Sequence, residues 1–352
     1  MDHPESDQPE RDRGAKPGRR RATVVDVARL AGVSAGTVSN AINGKRRVDP
    51  ETRARVEAAI DALAYRPNIA ARGIRTGRAN TIALVSSMAA GVAAGPSRLG
   101  FLMEIAGAAA LAALERNVAL VLVPPIPDPE TALRAVPLDG ALLVEPARND
   151  PFLPFLAVRG IPTVSIGAAY GVVSAQVDLN YDKTVDLLMD HLIETGARDF
   201  PLLIGTSARR YYEVFEARYR ARAAQIGMVP QVLRIDERLG EQAAAQVVAR
   251  HLRTRPGLDG VLAPVDALAT GAMMALREAR KAVPAEVRVV TRYDGLRARS
   301  ETPQLTAVDL HLETVARTAA IALLELIEGR SVAPILPGPM PQLVMRASSR
   351  RN

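Results

Sequence analysis

Two hydrophobic rhythms divide the chain, one on each side of about residue 80. On the N-terminal side, apolar positions recur at helical spacing in three short stretches. Val25, Ala28 and Leu30 open the first predicted helix, with Thr23 as its N-cap. "AGVS" then turns the chain: Gly32 supplies a positive φ, Val33 plugs a small core and Ser34 caps the next helix. That second helix is predicted over 35–42, with Val38, Ala41 and Ile42 facing inward, and it stops at "NGK". "DPETRARVEAAIDALAY" starts the third helix with Asp49 as N-cap and Pro50 at its first helical position. Val56, Ala59, Ile60 and Leu63 form its buried stripe. Two helices joined by a tight Gly-containing turn and backed by a third make a helix-turn-helix unit. The outward face of the second helix is unusually bare, with Ala35 and Gly36 at its start and Asn40 one turn on. In a helix that enters a major groove about 12 Å wide, such small leading residues allow close approach, and Asn can pair with a base edge.

Beyond Thr81 the rhythm changes. "TIALVSS", "VALVLVPP", "GALLVEP", "IPTVSIG", "FPLLIGTS", "DGVLAPV" and "EVRVVTRYD" are short apolar runs closed by polar or turn residues. Helical stretches such as "FLMEIAGAAALAALER", "YDKTVDLLMDHLIETG", "EQAAAQVVARHLRTR" and "ALATGAMMALREAR" lie between them. This alternation predicts parallel sheets covered by helices on both faces, enough for two α/β lobes. Ligands in such folds bind outside the carboxyl ends of the strands. The connecting segment "NIAARGIRTGR" is too short to hold a helix alone. Residues 1–21 are polar, lack periodicity and read as a disordered basic tail.

Charge sharpens the division. From Arg13 to Asn80 there are 15 Lys and Arg against five acids, a balance of +10, whereas residues 81–352 carry 29 basic and 28 acidic side chains. A small basic module precedes a large neutral one, which points to a polyanion as partner of the first module. The absence of Cys excludes disulfides and thiolate metal sites, and His3, His191, His251 and His311 are too scattered to propose a metal site. No secretory signal is visible and no run of about 18 apolar residues occurs, so the expected address is the cytoplasm. No G-x-G-x-x-G follows a predicted strand, no P-loop appears, and no nucleophile–His–acid set is evident, so neither an enzyme nor a cofactor is expected. A Rossmann-like enzyme, which those missing motifs argue against, and a ligand-binding protein without a DNA role, which leaves the basic headpiece unexplained, are the alternatives.

The residues also carry a resemblance. "TVVDVARLAGVSAGTVSNAINGKRRVDPETRARVEAAIDALAYRPNIAARGI" closely resembles the headpiece of the lactose-repressor/galactose-repressor family of bacterial transcription regulators. "LDGVLAPVDALATGAMMALREARKAVPAEVRVVTRYDG" and "PQLTAVDLHLETVARTAAIALLELIEG" look like that family's late core segments, so the likeness runs from about Thr23 to Gly329. It implies a helix-turn-helix domain over 22–66, a hinge helix within 67–79, and a two-lobed α/β core like periplasmic sugar-binding proteins over 80–337. Residues 338–352 are left as a C-terminal tail. It further implies a repressor that binds palindromic operator DNA as a homodimer under the control of a small effector, often a sugar. The family's tetramers use an additional C-terminal helical repeat, whereas the end of this chain has four Pro after Gly329 and no heptads.

By motif position the resemblance assigns base reading to Ala35, Gly36 and Asn40 and places Thr37 and Ser39 near phosphates. Thr23, Ser34, Asn43 and Arg47 complete the headpiece set. Asn68, Ala71 and Ile74 belong to the hinge, Ile74 standing where the family's apolar minor-groove wedge is usually Leu. Effector contacts fall to Ser86, Arg209 (chosen over Arg210), Asp266, Arg292 and Asp294. The core departs from the family pattern at Arg292, which stands in place of a Gly, at Gly295 after the retained Asp294, and at Asn180-Tyr181 in place of an acidic-Asn pair. Arg292 either pairs an anionic ligand or is locked to Asp294, so the effector is expected to be a sugar or an anionic metabolite.

Overall fold

A computed structural model describes residues 22–43, 48–65, 77–88, 100–124 and 126–350. The chain separates into two units, Met1–Gly77 and Arg78–Asn352.

The first unit is built from three helices whose ends are set by local side-chain chemistry. Helix α1 (Val24–Ala31) begins at Thr23, whose hydroxyl and backbone N–H both donate to Asp26 Oδ2, at 2.7 and 2.9 Å. It ends at Gly32, which takes φ +66°, a conformation that carries no steric cost without a Cβ, and Val33 N–H then closes onto Ala28 O at 3.0 Å. Helix α2 (Ala35–Asn43) follows at once, and α3 (Pro50–Ala62) starts under the Asp49 carboxylate, which accepts from Thr52 N–H at 2.8 Å. Val27, Ala28, Ala31, Val38, Val56 and Ala59 form the buried centre, with Val33, Ala41, Ile42, Ile60 and Leu63 packed around it. Val25 and Leu30, counted into the first helix from the sequence, are over half exposed, and the inward stripe runs instead through Val27, Ala28 and Ala31.

The second unit holds two parallel sheets. Its first lobe contains β1 (Thr81–Val85), β2 (Ala119–Leu122), β3 (Gly140–Val144), β4 (Thr163–Ile166), β5 (Ala175–Val177) and β11 (Ile335–Leu336), in the order β11-β5-β4-β3-β1-β2. The second contains β6 (Leu202–Gly205), β7 (Val232–Ile235), β8 (Gly260–Ala263) and β9 (Arg288–Thr291), in the order β7-β6-β8-β9. Period-two alternation sorts the side chains of the first sheet onto its two faces. Ile82, Leu84, Leu142 and Val144 enter the larger core, while Ala83, Val85, Ala141 and Leu143 join Phe152 and Leu156 on the other side.

The helices that frame the sheets include α4 (Phe101–Leu114), α5 (Pro129–Leu133) and α6 (Phe152–Val158) in the first lobe. Helices α7 (Tyr181–Glu194), α8 (Arg210–Gln225), α9 (Gly240–Thr254), α10 (Asp266–Glu278) and α11 (Leu296–Ser300) belong to the second. After β10 (Ala307–Asp309) the chain returns to the first lobe as α12 (Leu312–Ile327), which packs on α4, β3 and β4. No helix among the described residues is long and apolar enough to cross a membrane.

The tail expected over 338–352 is corrected by its packing. Strand β12 (Gln342–Val344) pairs antiparallel with β10, Ala307 opposite Val344. Ser348 Oγ donates to Val289 O at 2.6 Å, and Ser349 Oγ lies 2.7 Å from His191 Nε2, both serines being fully buried. Pro339 and Pro341 disfavour a helix here but not a short strand beyond them, whose ladder partner is not local in sequence.

Candidate DNA-reading helix and interlobe cleft

On α2 the Ser34 side chain accepts from Thr37 N–H at 3.0 Å and lies 2.9 Å from the Thr37 hydroxyl. This fixes the first turn, where Ser34, Ala35 and Gly36 are exposed while Val38 is fully buried below. A Cβ at Gly36 would meet only Ser34 Oγ, at 3.5 Å, so the glycine is not required by the helix itself. Thr37, Ser39 and Asn40 are half-buried at the flank of the same helix. Thr23 is exposed and engaged as the N-cap of α1. Asn43 closes α2, but its side chain, together with Arg47, Asn68, Ala71 and Ile74, lies outside the described residues.

The cleft is built at the carboxyl edges of the two sheets. Glu145 directly follows β3, and Arg292 directly follows β9. Their side chains meet in a bidentate pair, Arg292 Nη1 to Glu145 Oε1 at 2.5 Å and Nη2 to Oε2 at 3.0 Å. Only 4% and 1% of the two side chains are accessible. The guanidinium carbon lies 4.4 Å from the Tyr211 ring centre, 5.2 Å from Phe101 and 6.0 Å from Tyr181. Burial works against the charge on Arg292, but the adjacent Glu145 carboxylate raises its pKa overall. Burial, reinforced by Glu145, pushes the Tyr211 and Tyr181 phenols up as well. Gly167 makes room for this cluster: its φ is +85°, and a Cβ there would fall 2.0 Å from the Tyr181 hydroxyl.

Arg209, at the start of α8, also bridges the lobes. Its Nη1 donates to Glu145 O and its Nη2 to Ser87 O, the latter at 2.7 Å. Nearby, Arg148 N–H donates to Ala208 O at 2.7 Å, and the Tyr293 hydroxyl donates to Glu104 Oε2 at 2.6 Å. Arg209 Nε, Arg292 Nε and the Tyr211 hydroxyl are buried without a hydrogen-bond partner among the described residues.

Of the five effector positions taken from the sequence, Arg209 and Arg292 come together around Glu145. Ser86 lies beside Ser87 at the end of β1, 5% exposed, its hydroxyl accepting from Met88 N–H at 3.3 Å. Asp266 opens α10, where burial raises its pKa to about 6 although its own helix's Ala267 N–H pulls the other way. Its Oδ2 is 3.7 Å from Arg297 Nε. Asp294 turns away from Arg292. It forms ion pairs with Arg346 at 2.5 Å and Arg299 at 3.3 Å, and although burial opposes this, they hold its carboxyl below the usual range. Of the two expectations for Arg292, the lock to Asp294 is therefore corrected: its carboxylate partner is Glu145. That residue was missed from the sequence, although an acid at the carboxyl end of the wholly apolar "GALLV" is itself a signal of a cleft position.

Residues 23–68 match the family described as bacterial regulatory proteins, lacI family, and residues 189–349 match the periplasmic binding protein-like domain. The chain is 32% identical over 332 residues to the HTH-type transcriptional regulator CelR of Thermobifida fusca, covering 90% of this chain and 95% of that protein. It is 28% identical over 303 residues to the ribose operon repressor of Escherichia coli K12, covering 82% and 87%. Among solved structures, a CelR–cellobiose complex superposes with a TM-score of 0.67 at 29% identity, covering 93% of this chain and all (100%) of that one. The lac repressor dimer bound to operator and the anti-inducer ONPF superposes with a TM-score of 0.75 at 24% identity, covering 94% and 99%, a likeness of fold.

Proposed function

The chain belongs to the lacI family of bacterial regulatory proteins, and from this premise we propose that it is a homodimeric repressor that reads a palindromic operator and answers to a small sugar. As a member of that family it is a DNA-binding transcriptional regulator with a periplasmic-binding-like effector domain. The proteins it is similar to are regulators rather than enzymes.

One observation carries the DNA reading. The first turn of α2 is capped, exposed and stripped to Ala35 and Gly36, although the fold has room for a larger side chain at Gly36. Absence of bulk without an internal reason fits close approach to base edges, with Asn40 one turn on as the hydrogen-bonding reader. Thr37 and Ser39 then face phosphates, with Thr23, Ser34, Asn43 and Arg47 around them. Asn68, Ala71 and Ile74 would follow the chain to the operator centre as a hinge.

For the effector, the cleft chemistry favours a neutral polyol over an anion. Arg292 is not a free cation, because Glu145 already neutralises it. Paired planar charges beside the Tyr211 and Phe101 rings offer both hydrogen-bond partners and flat apolar faces, which suits a sugar ring. The similar CelR protein has been solved with cellobiose. Fluorescence anisotropy tests both halves, with a palindromic duplex from the protein's genomic neighbourhood, a scrambled duplex, and cellobiose, glucose and citrate as additives. Preference for the palindrome, altered by a sugar and not by citrate, is the expected result. Equal binding to both duplexes would refute the operator reading, and a response to citrate alone would refute the sugar reading.

A further inference from the structure

Glu145 and Arg292 come from opposite lobes, and among the described residues theirs is the interlobe ion pair with both charges buried. The other polar bridges are of a different kind. Arg148–Glu213 is solvent-exposed on both sides, with 53% and 37% of the side chains accessible, so water and salt screen it. Arg209 donates to the backbone carbonyls of Glu145 and Ser87, neutral acceptors that water replaces readily when the lobes part. The Tyr293–Glu104 bond joins a phenol to a carboxylate at a part-buried position.

We propose that the Glu145–Arg292 pair is a latch that makes closure of the lobes conditional on both charges being compensated, by each other or by one ligand. The physical reason is the asymmetry of buried ion pairs. A complete bidentate pair in a low-dielectric cleft recovers much of its desolvation cost through mutual attraction, whereas one member left alone is strongly unfavourable. When the lobes are apart, each charge returns to water and needs no partner. Removing one charge therefore raises the energy of the closed form and barely touches the open one. Removing both restores the balance.

This inference rests on the reading of the cleft as the effector site, and it narrows the ligand class. A molecule that enters between the two groups with the lobes closed must accept from Arg292 and donate to Glu145 at once. Adjacent sugar hydroxyls do both, and the unpaired Tyr211 hydroxyl and Arg292 Nε provide further contacts. A simple anion serves Arg292 alone and leaves Glu145 uncompensated.

The test measures interlobe distance in the full chain without DNA, so its outcome is independent of whether an operator is recognised. The chain has no Cys, which lets spin labels be placed only where introduced. Val158 in the first lobe and Val229 in the second are 86% and 64% exposed and suit Val158→Cys and Val229→Cys. Labelled protein is diluted into unlabelled protein so that each distance is read within one chain, by double electron–electron resonance. Glu145→Gln and Arg292→Gln should each add a longer-distance population several-fold above the parent's. The double variant should return most of the distribution to the parental distance. Glu145→Asp, which keeps the charge but shortens the reach, guards against a folding failure of Glu145→Gln and should give an intermediate shift. Unchanged distances in both single variants would overturn the latch. Equal shifts in the singles and the double would overturn it too, because packing volume rather than charge compensation would then hold the lobes.

Discussion

Arg346 Nη1 lies 2.5 Å from Asp294 Oδ1 and joins the C-terminal segment to the loop that follows β9. The aspartate assigned to effector binding by resemblance is thus tied to the chain's own end, and Arg299 supports it from the other side. Both members of the pair are mostly buried, with 16% and 11% of the side chains accessible, so losing one leaves a charge short of partners. Arg346→Ala should lower unfolding stability by roughly 1–3 kcal/mol. Urea denaturation at neutral pH measures it, and an unchanged midpoint would show that Arg299 alone suffices.

The same pair has an acid signature. Asp294 has its pKa held down in the folded protein, so its contribution is complete above the unfolded carboxylate value of about 4 and is lost as pH falls through the lower folded value. Asp294→Asn should be less stable than the parent at pH 7, and the difference should shrink below pH 4. Parallel curves over pH 2–7, a range set by those same reference values, would contradict the assignment.

Asp266 works in the opposite direction. Its folded pKa is raised to about 6, so below pH ~4 both states hold the proton, and from there to about 6 the folded state alone retains it. Stability should therefore fall as pH rises through that window. Asp266→Asn keeps an acceptor for Ala267 N–H, which Oδ1 now meets at 2.8 Å. The variant should flatten the profile and be more stable at pH 7 by on the order of 2 kcal/mol. Thermal melts at half-unit pH steps decide the matter, and a slope equal to the parent's would remove Asp266 as the cause.

On α2 the bare face and the reading side chain separate by experiment. Asn40→Ala should cost about 1–3 kcal/mol on the best operator and little on scrambled DNA. Gly36→Leu should leave thermal unfolding unchanged or raise it, since the nearest atom to a Cβ there is Ser34 Oγ at 3.5 Å, yet it should abolish operator preference. Loss of stability in Gly36→Leu would mean the glycine serves the fold rather than the groove.

Charge supplies a bulk test. The balance of +10 between residues 13 and 80 predicts steep salt dependence of DNA binding. A log–log slope of magnitude roughly 5 or more is expected if about six phosphates are neutralised. A titration from low to moderate salt by anisotropy reads it directly, and a flat response would contradict the assignment of the basic unit to DNA.

Much of the architecture was legible without coordinates because it is written in local signals. Thr23, Gly32, Ser34 and Asp49 mark helix ends through bonds to neighbours three or four residues away, and all four occupy those places in the fold. The apolar runs from "TIALVSS" to "EVRVVTRYD" became β1, β2, β3, β4, β6, β8 and β9, since a strand buried on both faces needs a mostly apolar sequence, and of these only the edge strand β2 is left without a buried residue. The short strands β5, β7 and β10 to β12 escaped, because three or so residues with mixed polarity gain their order from a ladder partner and not from their own pattern.

The sequence by itself determined a capped helix-turn-helix unit with a bare second helix, a basic first module, and an α/β core whose ligand edge lies at the strand ends. Only the tertiary structure decided who meets whom at that edge. Arg292 and Asp294 are two residues apart, yet one crosses the cleft to Glu145 and the other turns to Arg346. Nothing local distinguishes them, because a guanidinium or carboxylate takes whichever partner the fold brings within reach before water is excluded. Glu145 lies 147 residues from Arg292, and the C-terminal strand pairs with β10 across a shorter but still non-local gap. Pairings over such distances are fixed by sheet order and lobe closure, which emerge only when the whole chain has packed.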